Sequence, residues 1–191
     1  VAATANVATA CAAHDAGLLH ISTDAVLDGE RPCYAEDDLS EPVHPYGVAK
    51  RMAELAAWDA VPDAAVVRTS LIVHLDRDAP DGATAWVVDA NREGRTGTLF
   101  TDEVRTAVRL VDLTAVLVEL VGLDAGARRG TWHVAGPERL SRADIGEVLA
   151  STFEPYEAEV RVLVRRPVNV NTASPTVLAA LFANLQIVGR N

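Results

Sequence analysis

The sequence predicts an α/β fold in which helices cover a doubly wound, mainly parallel sheet, with a smaller α/β lobe after about residue 75. Helical and apolar extended segments alternate along the first half of the chain, as they do in βαβ units. Hydrophobic residues make up 49% of the chain, which is enough to form a buried core. Alanine and valine dominate and aromatic residues contribute only 5%, a composition that favours helices on a buried sheet over an all-β sandwich.

The elements of the first half follow from apolar spacing and from Gly and Pro punctuation. Gly17 fits the position after a helix, where a positive φ costs little, and Pro45 fits the first turn of the next helix. The predicted order is a helix over 1–16, a strand over 18–22, a loop over 23–45, a helix over 46–59 and a strand over 64–73.

For the second half of the chain, the sequence predicts shorter strands mixed with helices. Asp112 is a candidate N-cap, and Ser141 with Asp144 has the spacing of a capping box. The predicted elements are a helix over 83–92, a turn over 94–97, a strand over 98–101, an extended segment over 104–111, a helix over 112–123, a strand over 130–135, a helix over 141–153, a strand over 160–164 and a helix over 174–183.

Composition also limits the function classes. With 17 basic and 27 acidic residues the net charge is −10, so no nucleic-acid partner is expected. No signal-peptide pattern and no apolar run of about 20 residues is visible, so no membrane association is expected. The histidines have no HxxxH or HExxH spacing and predict no metal site. Cys11 and Cys33 match neither a zinc nor a CxxC spacing, which favours a cytoplasmic location.

Three polar side chains come together around the second predicted helix. Tyr46 and Lys50 are four residues apart and therefore share one helix face. An ammonium near a phenol favours the phenolate, so such a tyrosine can exchange a proton with a substrate oxygen. Thr23, after the preceding strand, can hydrogen-bond to the same oxygen. The set suits carbonyl reduction or its reverse, with a hydride carrier supplied from elsewhere.

The order of these motifs resembles the extended short-chain dehydrogenase/reductase superfamily, and within it the dTDP-4-dehydrorhamnose reductase-like group of sugar-nucleotide reductases. The resemblance covers roughly residues 5–170. Its motifs are STDAVLDG at Ser22–Gly29, YGVAK at Tyr46–Lys50 with Glu54, VRTS at Val67–Ser70, DEVRT at Asp102–Thr106, VDL at Val111–Leu113 and HVAGP at His133–Pro137.

The resemblance implies a partial Rossmann-like sheet and a site assignment. Residues 1–75 would form the C-terminal half of a dinucleotide-binding domain. Residues 76–191 would form mainly the substrate-binding lobe, with about 98–123 returning to the main sheet. The resemblance implies a catalytic role for Thr23, Tyr46 and Lys50. It implies that NADP or NAD is bound by Ser22, Tyr46, Lys50, Arg68, Thr69 and Ser70. It implies that a sugar nucleotide is bound by Asp24, Ala25 and Arg105.

Several departures from the family pattern keep other functions open. The sequence has no G-x-x-G-x-x-G turn, which in the family binds the cofactor pyrophosphate, so an N-terminally truncated chain is expected. Ala25 stands where a tyrosine is usual, and Leu27, Ala49, Ala107 and Arg109 also differ. An epimerase or dehydratase, or a non-catalytic sugar-nucleotide-binding subunit, is therefore an alternative to a reductase. A homodimer is compatible with each of these functions.

A smaller resemblance lies near the C-terminus. The segment PVNVNTASPTVLAAL at Pro167–Leu181 is similar to the opening of a helix-hairpin-helix module, and residues 160–191 contain four arginines and no acidic residue. The second helix of such a module has no counterpart in the sequence. Arg166 and Pro167 also fit the closing segment of the reductase-like family, which leaves the hairpin as a minor alternative.

Overall fold

The computed structural model describes residues 1–74, 85–96, 98–152 and 188–189. The helices are α1 (Ala2–Ala13), α2 (Pro45–Ala60), α3 (Ala85–Arg92), α4 (Leu110–Gly122), α5 (Ala125–Arg128) and α6 (Arg142–Thr152), with a 3₁₀ turn at Asp24–Val26. The strands are β1 (Leu19–Thr23), β2 (Ala65–Thr69), β3 (Ile72–Val73), β4 (Arg95–Thr96), β5 (Val104–Arg105), β6 (Val108–Arg109), β7 (Gly130–Val134), β8 (Leu140–Ser141) and β9 (Val188–Gly189).

The chain divides into two compact units. The first comprises Val1–Ser70 and Asp112–Ala135, and the second comprises Leu71–Val111 and Gly136–Asn191. The division of function between residues 1–75 and 76–191 stays a prediction.

The first unit is built on a parallel sheet in the order β1-β2-β7. All five residues of the central strand β2 are buried, as expected for a parallel sheet covered on its faces. The register aligns Ser22 with Arg68 and Arg68 with His133, so these three side chains point to the same face of the sheet. The predicted α/β class with a parallel sheet is thereby confirmed.

Small side chains form the core between α1 and α2. The buried cluster consists of Ala8, Leu18, Ala57, Val61 and Ala64, with Trp58 packed against it. Alanine at these positions lets two helices and a strand end approach closely, because no side chain beyond Cβ has to be accommodated. The Trp58 indole N–H donates to the carbonyl of Ala64 at 3.1 Å, which satisfies its polar atom.

Among its described residues, the second unit has three short strand pairs: β3 with β6 in parallel, and β5 with β8 and β4 with β9 antiparallel. Its core consists of Val87 and Val88 from α3 and Ile145 and Leu149 from α6. The predicted capping box of α6 is present: Asp144 N–H donates to Ser141 Oγ at 3.0 Å, and Ser141 N–H donates to Asp144 Oδ2 at 2.8 Å.

Several element predictions were wrong in detail. The segment 64–73 is two strands in different sheets, β2 and β3, because Ile72–Val73 leaves the first sheet to pair with β6. Residues 98–101 form no strand, and β4 lies where a turn was predicted over 94–97. The extended segment over 104–111 is broken into β5 and β6, and α4 begins at Leu110, which places Asp112 inside its first turn. The short helix α5 was not predicted.

The end of α1 also differs from its prediction. The helix stops at Ala13, and Asp15, with a φ of 51°, adopts the left-handed conformation that was assigned to Gly17. Gly17 instead lies against the guanidinium of Arg128, which would have to move to make room for a Cβ at this position. The strand predicted over 160–164, the helix over 174–183 and the hairpin module at Pro167–Leu181 lie outside the described residues.

Candidate active site

Thr23 lies at the carboxyl end of β1, where the chain turns into the 3₁₀ segment. Its Oγ1 accepts a hydrogen bond from the Ala25 N–H at 3.2 Å, which caps that turn, and donates to Asp24 Oδ1 at 3.2 Å. Asp24 Oδ2 accepts from Ser70 Oγ at 2.7 Å. The structure therefore joins Thr23, Asp24 and Ser70, all predicted from the sequence, at the neighbouring ends of β1 and β2.

The first turn of α2 is fitted closely against this turn. His44 is the N-cap, with Nδ1 accepting from the Gly47 N–H at 3.0 Å, and Pro45 follows at the first helical position. A Cβ at Gly47 would lie only 2.1 Å from the carbonyl oxygen of Ala25. Glycine at position 47 therefore lets α2 begin directly beside the end of β1, which is where Tyr46 is needed.

Tyr46 and Lys50 lie one turn apart on α2. Tyr46 is 59% exposed, and its ring stacks on that of His44 with centroids 6.1 Å apart and an interplanar angle of 20°. Lys50 Nζ donates to the carbonyl oxygen of Ile21 in β1 at 2.8 Å. The ammonium is thus fixed at the sheet, while the phenol at the helix start remains accessible to a ligand.

One turn after Lys50 on α2, Glu54 forms a buried ion pair with Arg68. The sequence prediction gave Glu54 no role. Its Oε1 accepts from Ser22 Oγ and from Arg68 Nε at 3.1 Å, and its Oε2 accepts from Arg68 Nη2 at 3.0 Å and from Arg51 Nη1 at 2.9 Å. Burial alone would raise the pKa of Glu54. The hydrogen bonds from Arg68 and Ser22 and the guanidinium charge outweigh burial, so the pKa of Glu54 is lowered.

His20 lies in β1 two residues before Ser22, and therefore on the same face of the sheet as Ser22. Burial, followed by the positive charge of Lys50, lowers the pKa of its imidazole, although the charge of Glu54 acts in the opposite direction. The ring is therefore neutral at pH 7 and adds no second cation beside Lys50.

Of the residues predicted to bind a cofactor, Ser22 and Arg68 have side chains that are engaged inside the protein. Both contact Glu54, and Arg68 Nη2 also donates to Ser40 Oγ at 2.7 Å. Thr69 differs: it is 4% exposed and its Oγ1 has no hydrogen-bond partner among the described residues. An unpaired buried hydroxyl at a strand end is suited to a polar ligand.

The loop before α2 is fixed to β7 by polar contacts. Tyr34 hydrogen-bonds to Asp28, and the Arg31 guanidinium lies 4.4 Å from the Tyr34 ring centroid. The His133 Nδ1 lies 3.3 Å from the carbonyl oxygen of Tyr34, and its main-chain N–H donates to Glu36 Oε1 at 3.4 Å. The loop is thus held over the sheet by contacts more than 90 residues apart in sequence.

Arg105, a predicted substrate contact, belongs to the second unit. It lies in β5, and its Nε donates to Glu103 Oε1 at 3.2 Å. Arg142 Nε donates to the same oxygen at 3.0 Å, so Glu103 joins the two arginines. Ala25, also a predicted substrate contact, contributes main-chain groups to the turn after β1 and presents only a methyl side chain.

In those parts of the chain that the structure describes, no three His, Cys, Asp or Glu side chains are grouped so that they could hold a metal ion. None of the helices described above has the length and apolar character needed to cross a bilayer.

A strand-end threonine followed by a helix that carries a tyrosine and a lysine one turn apart is the arrangement of the short-chain dehydrogenase/reductase superfamily, in its sugar-nucleotide reductase-like branch. The chain belongs to the family described as the RmlD substrate binding domain, whose model matches residues 1–180. The resemblance stated from the sequence motifs is confirmed.

Three curated relatives illustrate the range of this similarity. The probable low-salt glycan biosynthesis reductase of Haloferax volcanii is 36% identical over 78% of this chain and 49% of its own length. The dTDP-4-dehydrorhamnose reductase of Mycolicibacterium smegmatis is 38% identical over 81% and 46%. The methionine adenosyltransferase 2 subunit beta of Rattus norvegicus is 27% identical over 88% and 51%. The chain spans about half the length of the curated relatives it matches.

A solved structure supports the fold. The dTDP-4-dehydrorhamnose reductase of Bacillus anthracis, in complex with NADP, superposes with a TM-score of 0.75 at 24% identity, over 97% of this chain and 66% of that one. The Rossmann-like class predicted from the sequence is confirmed by this match.

Proposed function

We propose that this chain carries the proton-donating and carbonyl-orienting part of an NAD(P)H-dependent reductase that acts on a 4-keto sugar nucleotide. The observation that carries the proposal is the placement of Tyr46 and Lys50 at the carboxyl end of β1, with the ammonium bonded to Ile21 and the phenol exposed. Ligands of open α/β sheets bind outside the carboxyl ends of the strands. The reductase names of two relatives supply the reaction class.

In this proposal Tyr46 is the general acid. Its hydroxyl gives a proton to the carbonyl oxygen of the sugar, so that the oxygen becomes the hydroxyl of the product. Lys50 stabilises the phenolate left behind, and solvent returns the proton to Tyr46. Thr23 orients the carbonyl by donating a hydrogen bond, after its hydroxyl has rotated away from Asp24 Oδ1, which it contacts at 3.2 Å.

The residues at this sheet edge fit the nicotinamide end of a dinucleotide. Lys50 and Tyr46 would hold the ribose, and the unpaired hydroxyl of Thr69 would hold a polar group next to it. The cofactor supplies the hydride when bound. Ser22 and Arg68 would act through Glu54 rather than by direct contact, because their side chains are buried against it. No Gly-rich turn for the pyrophosphate occurs in this sequence.

The sugar nucleotide would be contacted from several positions. Asp24 lies beside Thr23 and is proposed to bind a sugar hydroxyl, while Ser70, which donates to Asp24 Oδ2, is proposed to contact the cofactor. Ala25 would leave open the space that an aromatic side chain fills in the family pattern, and Arg105 is proposed to meet the nucleotide. Two unpaired cysteines, Cys11 and Cys33, support a cytoplasmic location. We also propose that the chain forms a homodimer.

The proposal is tested with Tyr46→Phe and with a matched tyrosine variant, Tyr34→Phe. Turnover of a dTDP-4-keto sugar with NADPH should fall by at least about a hundredfold in Tyr46→Phe, because the proton donor is lost. Calorimetry should still show binding of both ligands. Tyr34→Phe also removes a phenol but lies in the loop before α2, so it should keep turnover. Full turnover by Tyr46→Phe would contradict the proposal.

Two alternatives give different results in the same assay. An epimerase or dehydratase uses the same tyrosine and lysine without net consumption of the cofactor, so isotopically labelled NADPH would leave no label in the product. A non-catalytic subunit is favoured by the subunit name of the Rattus norvegicus relative. In that case calorimetry would detect binding of the sugar nucleotide but not of NADPH. No substitution would change turnover, because a non-catalytic subunit has none.

A further inference from the structure

One stripe of α2 runs from the surface into the core. Tyr46, Lys50 and Glu54 follow each other at intervals of four residues, so they lie on one face of the helix. Tyr46 is 59% exposed, Lys50 is half-buried, and Glu54 is completely buried. The phenol and the ammonium of the proposed site are therefore on the same stripe as the buried carboxylate.

The two lower residues of this stripe bind consecutive residues of β1. Lys50 Nζ donates to the carbonyl of Ile21 at 2.8 Å, and the carboxylate of Glu54 accepts from the hydroxyl of Ser22. The residue after Ser22 is Thr23, whose hydroxyl is part of the proposed site. Two bonds from successive helical turns thus fix how far α2 extends past the end of β1.

Arg68 fixes the same carboxylate to the central strand. Its guanidinium binds Glu54 through Nε at 3.1 Å and Nη2 at 3.0 Å, and the register aligns Arg68 with Ser22. A paired guanidinium and carboxylate have one preferred planar geometry, which makes the contact directional. The carboxylate is therefore held from two strands, and α2 cannot slide by one turn, about 5.4 Å, without leaving a buried charge unpaired.

We propose that Glu54 is a positioning residue: together with Ser22 and Arg68 it sets the height of α2 above the sheet, and thereby the placement of Tyr46 and Lys50 relative to Thr23. This inference rests on the proposed reductase function for its kinetic consequence, but its structural consequence is independent of it. Proton transfer depends on distances held to a fraction of an ångström, so a small displacement of α2 lowers the rate without removing any reacting group.

The test uses the variants Glu54→Gln and Ser22→Ala. The matched control is Asp59→Asn, an acid-to-amide substitution at an exposed residue of the same helix. Glu54→Gln should lower kcat by about ten- to a hundredfold, with KM for the sugar nucleotide close to that of the wild type. Ser22→Ala should show a smaller loss in the same direction. It keeps the pairing of Glu54 with Arg68, so it gives a result even where Glu54→Gln does not fold. Asp59→Asn should match the wild type.

A second readout does not depend on turnover. In the chain labelled with 3-fluorotyrosine, the three tyrosines give separable ¹⁹F signals, which are assigned by Tyr→Phe variants. Glu54→Gln and Ser22→Ala should shift the Tyr46 signal, because its ring moves relative to His44, and should leave the Tyr34 signal unchanged. Asp59→Asn should shift neither signal.

The outcomes separate the two proposals. If Glu54→Gln and Ser22→Ala lower only the thermal stability, and both kcat and the Tyr46 signal stay as in the wild type, Glu54 has a structural role alone and the inference is overturned. If the wild-type chain shows no reductase turnover, the proposed function fails, while the Tyr46 signal still decides whether Glu54 positions the helix.

Discussion

At the residue scale, the placement of the groups proposed to carry chemistry could be predicted from the sequence, whereas the buried contacts around them could not. Tyr46 and Lys50 are four residues apart, and that spacing alone puts them on one face. Of the partners of Glu54, Arg51 is three residues away on the same helix. Arg68 and Ser22 are 14 and 32 residues away in sequence, and no local pattern indicates these two pairings. For the same reason Arg68 was assigned to the cofactor, although the structure shows its guanidinium bonded to Glu54.

Gly47 is the residue whose substitution tests how closely α2 meets the end of β1. Gly47→Ala should lower the free energy of unfolding by about 1–3 kcal/mol, because the added methyl would lie 2.1 Å from the carbonyl oxygen of Ala25 and that backbone has to move. Turnover should fall as well, since Tyr46 is the preceding residue. Urea denaturation and the reductase assay measure the two effects.

The matched control is Gly122→Ala at the end of α4. A Cβ at Gly122 would meet no atom within 4 Å, and alanine is the better helix former, so stability should be unchanged or slightly higher. Equal stability of the two variants would show that α2 does not need glycine at position 47.

At the element scale, helices with clear start signals were predicted well and short strands were not. Pro45 and the Ser141–Asp144 spacing located the starts of α2 and α6, since both signals act within one turn. The strands β3 to β6 are two residues long, and each exists because of a partner elsewhere in the chain. The polar residues Arg68, Thr69 and Ser70 interrupt the apolar segment Ala64–Val73 at the break after β2, but the pairing of β3 with the distant strand β6 has no local signal.

The capping box of α6 leads to a prediction for stability. Ser141→Ala should lower the free energy of unfolding by about 1 kcal/mol, and the melting temperature by about 2–4 °C for a chain of this size. The hydroxyl of Ser141 both accepts from the Asp144 N–H and donates to its carboxylate. Glu147→Gln, an exposed substitution on the same helix, should leave the melting temperature unchanged.

The loss of stability caused by Ser141→Ala should become smaller in acid. Hydrogen bonds from the side chain and the main chain of Ser141 lower the pKa of Asp144. A carboxyl group with a lowered pKa contributes stability above its unfolded pKa, and this contribution is lost as the pH falls through the folded value. The difference between wild type and Ser141→Ala should therefore be largest at neutral pH and shrink below about pH 4. A constant difference from pH 7 to pH 3 would contradict this role.

At the scale of the whole molecule, two helices of the first unit expose several large apolar side chains. The twelve residues of α1 include no charged side chain, and Val7 on it is 55% exposed. On α2, which packs against α1, Val48, Met52 and Leu55 are 47%, 50% and 45% exposed at helical spacing. An apolar row of this kind is suited to contact a second copy of itself around a two-fold axis, and the exposed Asp59 lies at the C-terminal end of the same row.

The homodimer is tested by Met52→Glu, which puts a charge in the middle of the exposed row on α2. If two copies meet through this face, Met52→Glu should halve the mass seen by sedimentation at micromolar concentration, because a buried unpaired carboxylate is costly. Val118→Glu is the matched control: Val118 is 67% exposed on α4, a helix that already carries Asp112 and Glu119. That variant should remain a dimer. Dissociation by Val118→Glu but not by Met52→Glu would place the interface on α4, and a wild-type chain that sediments as a monomer would exclude the homodimer.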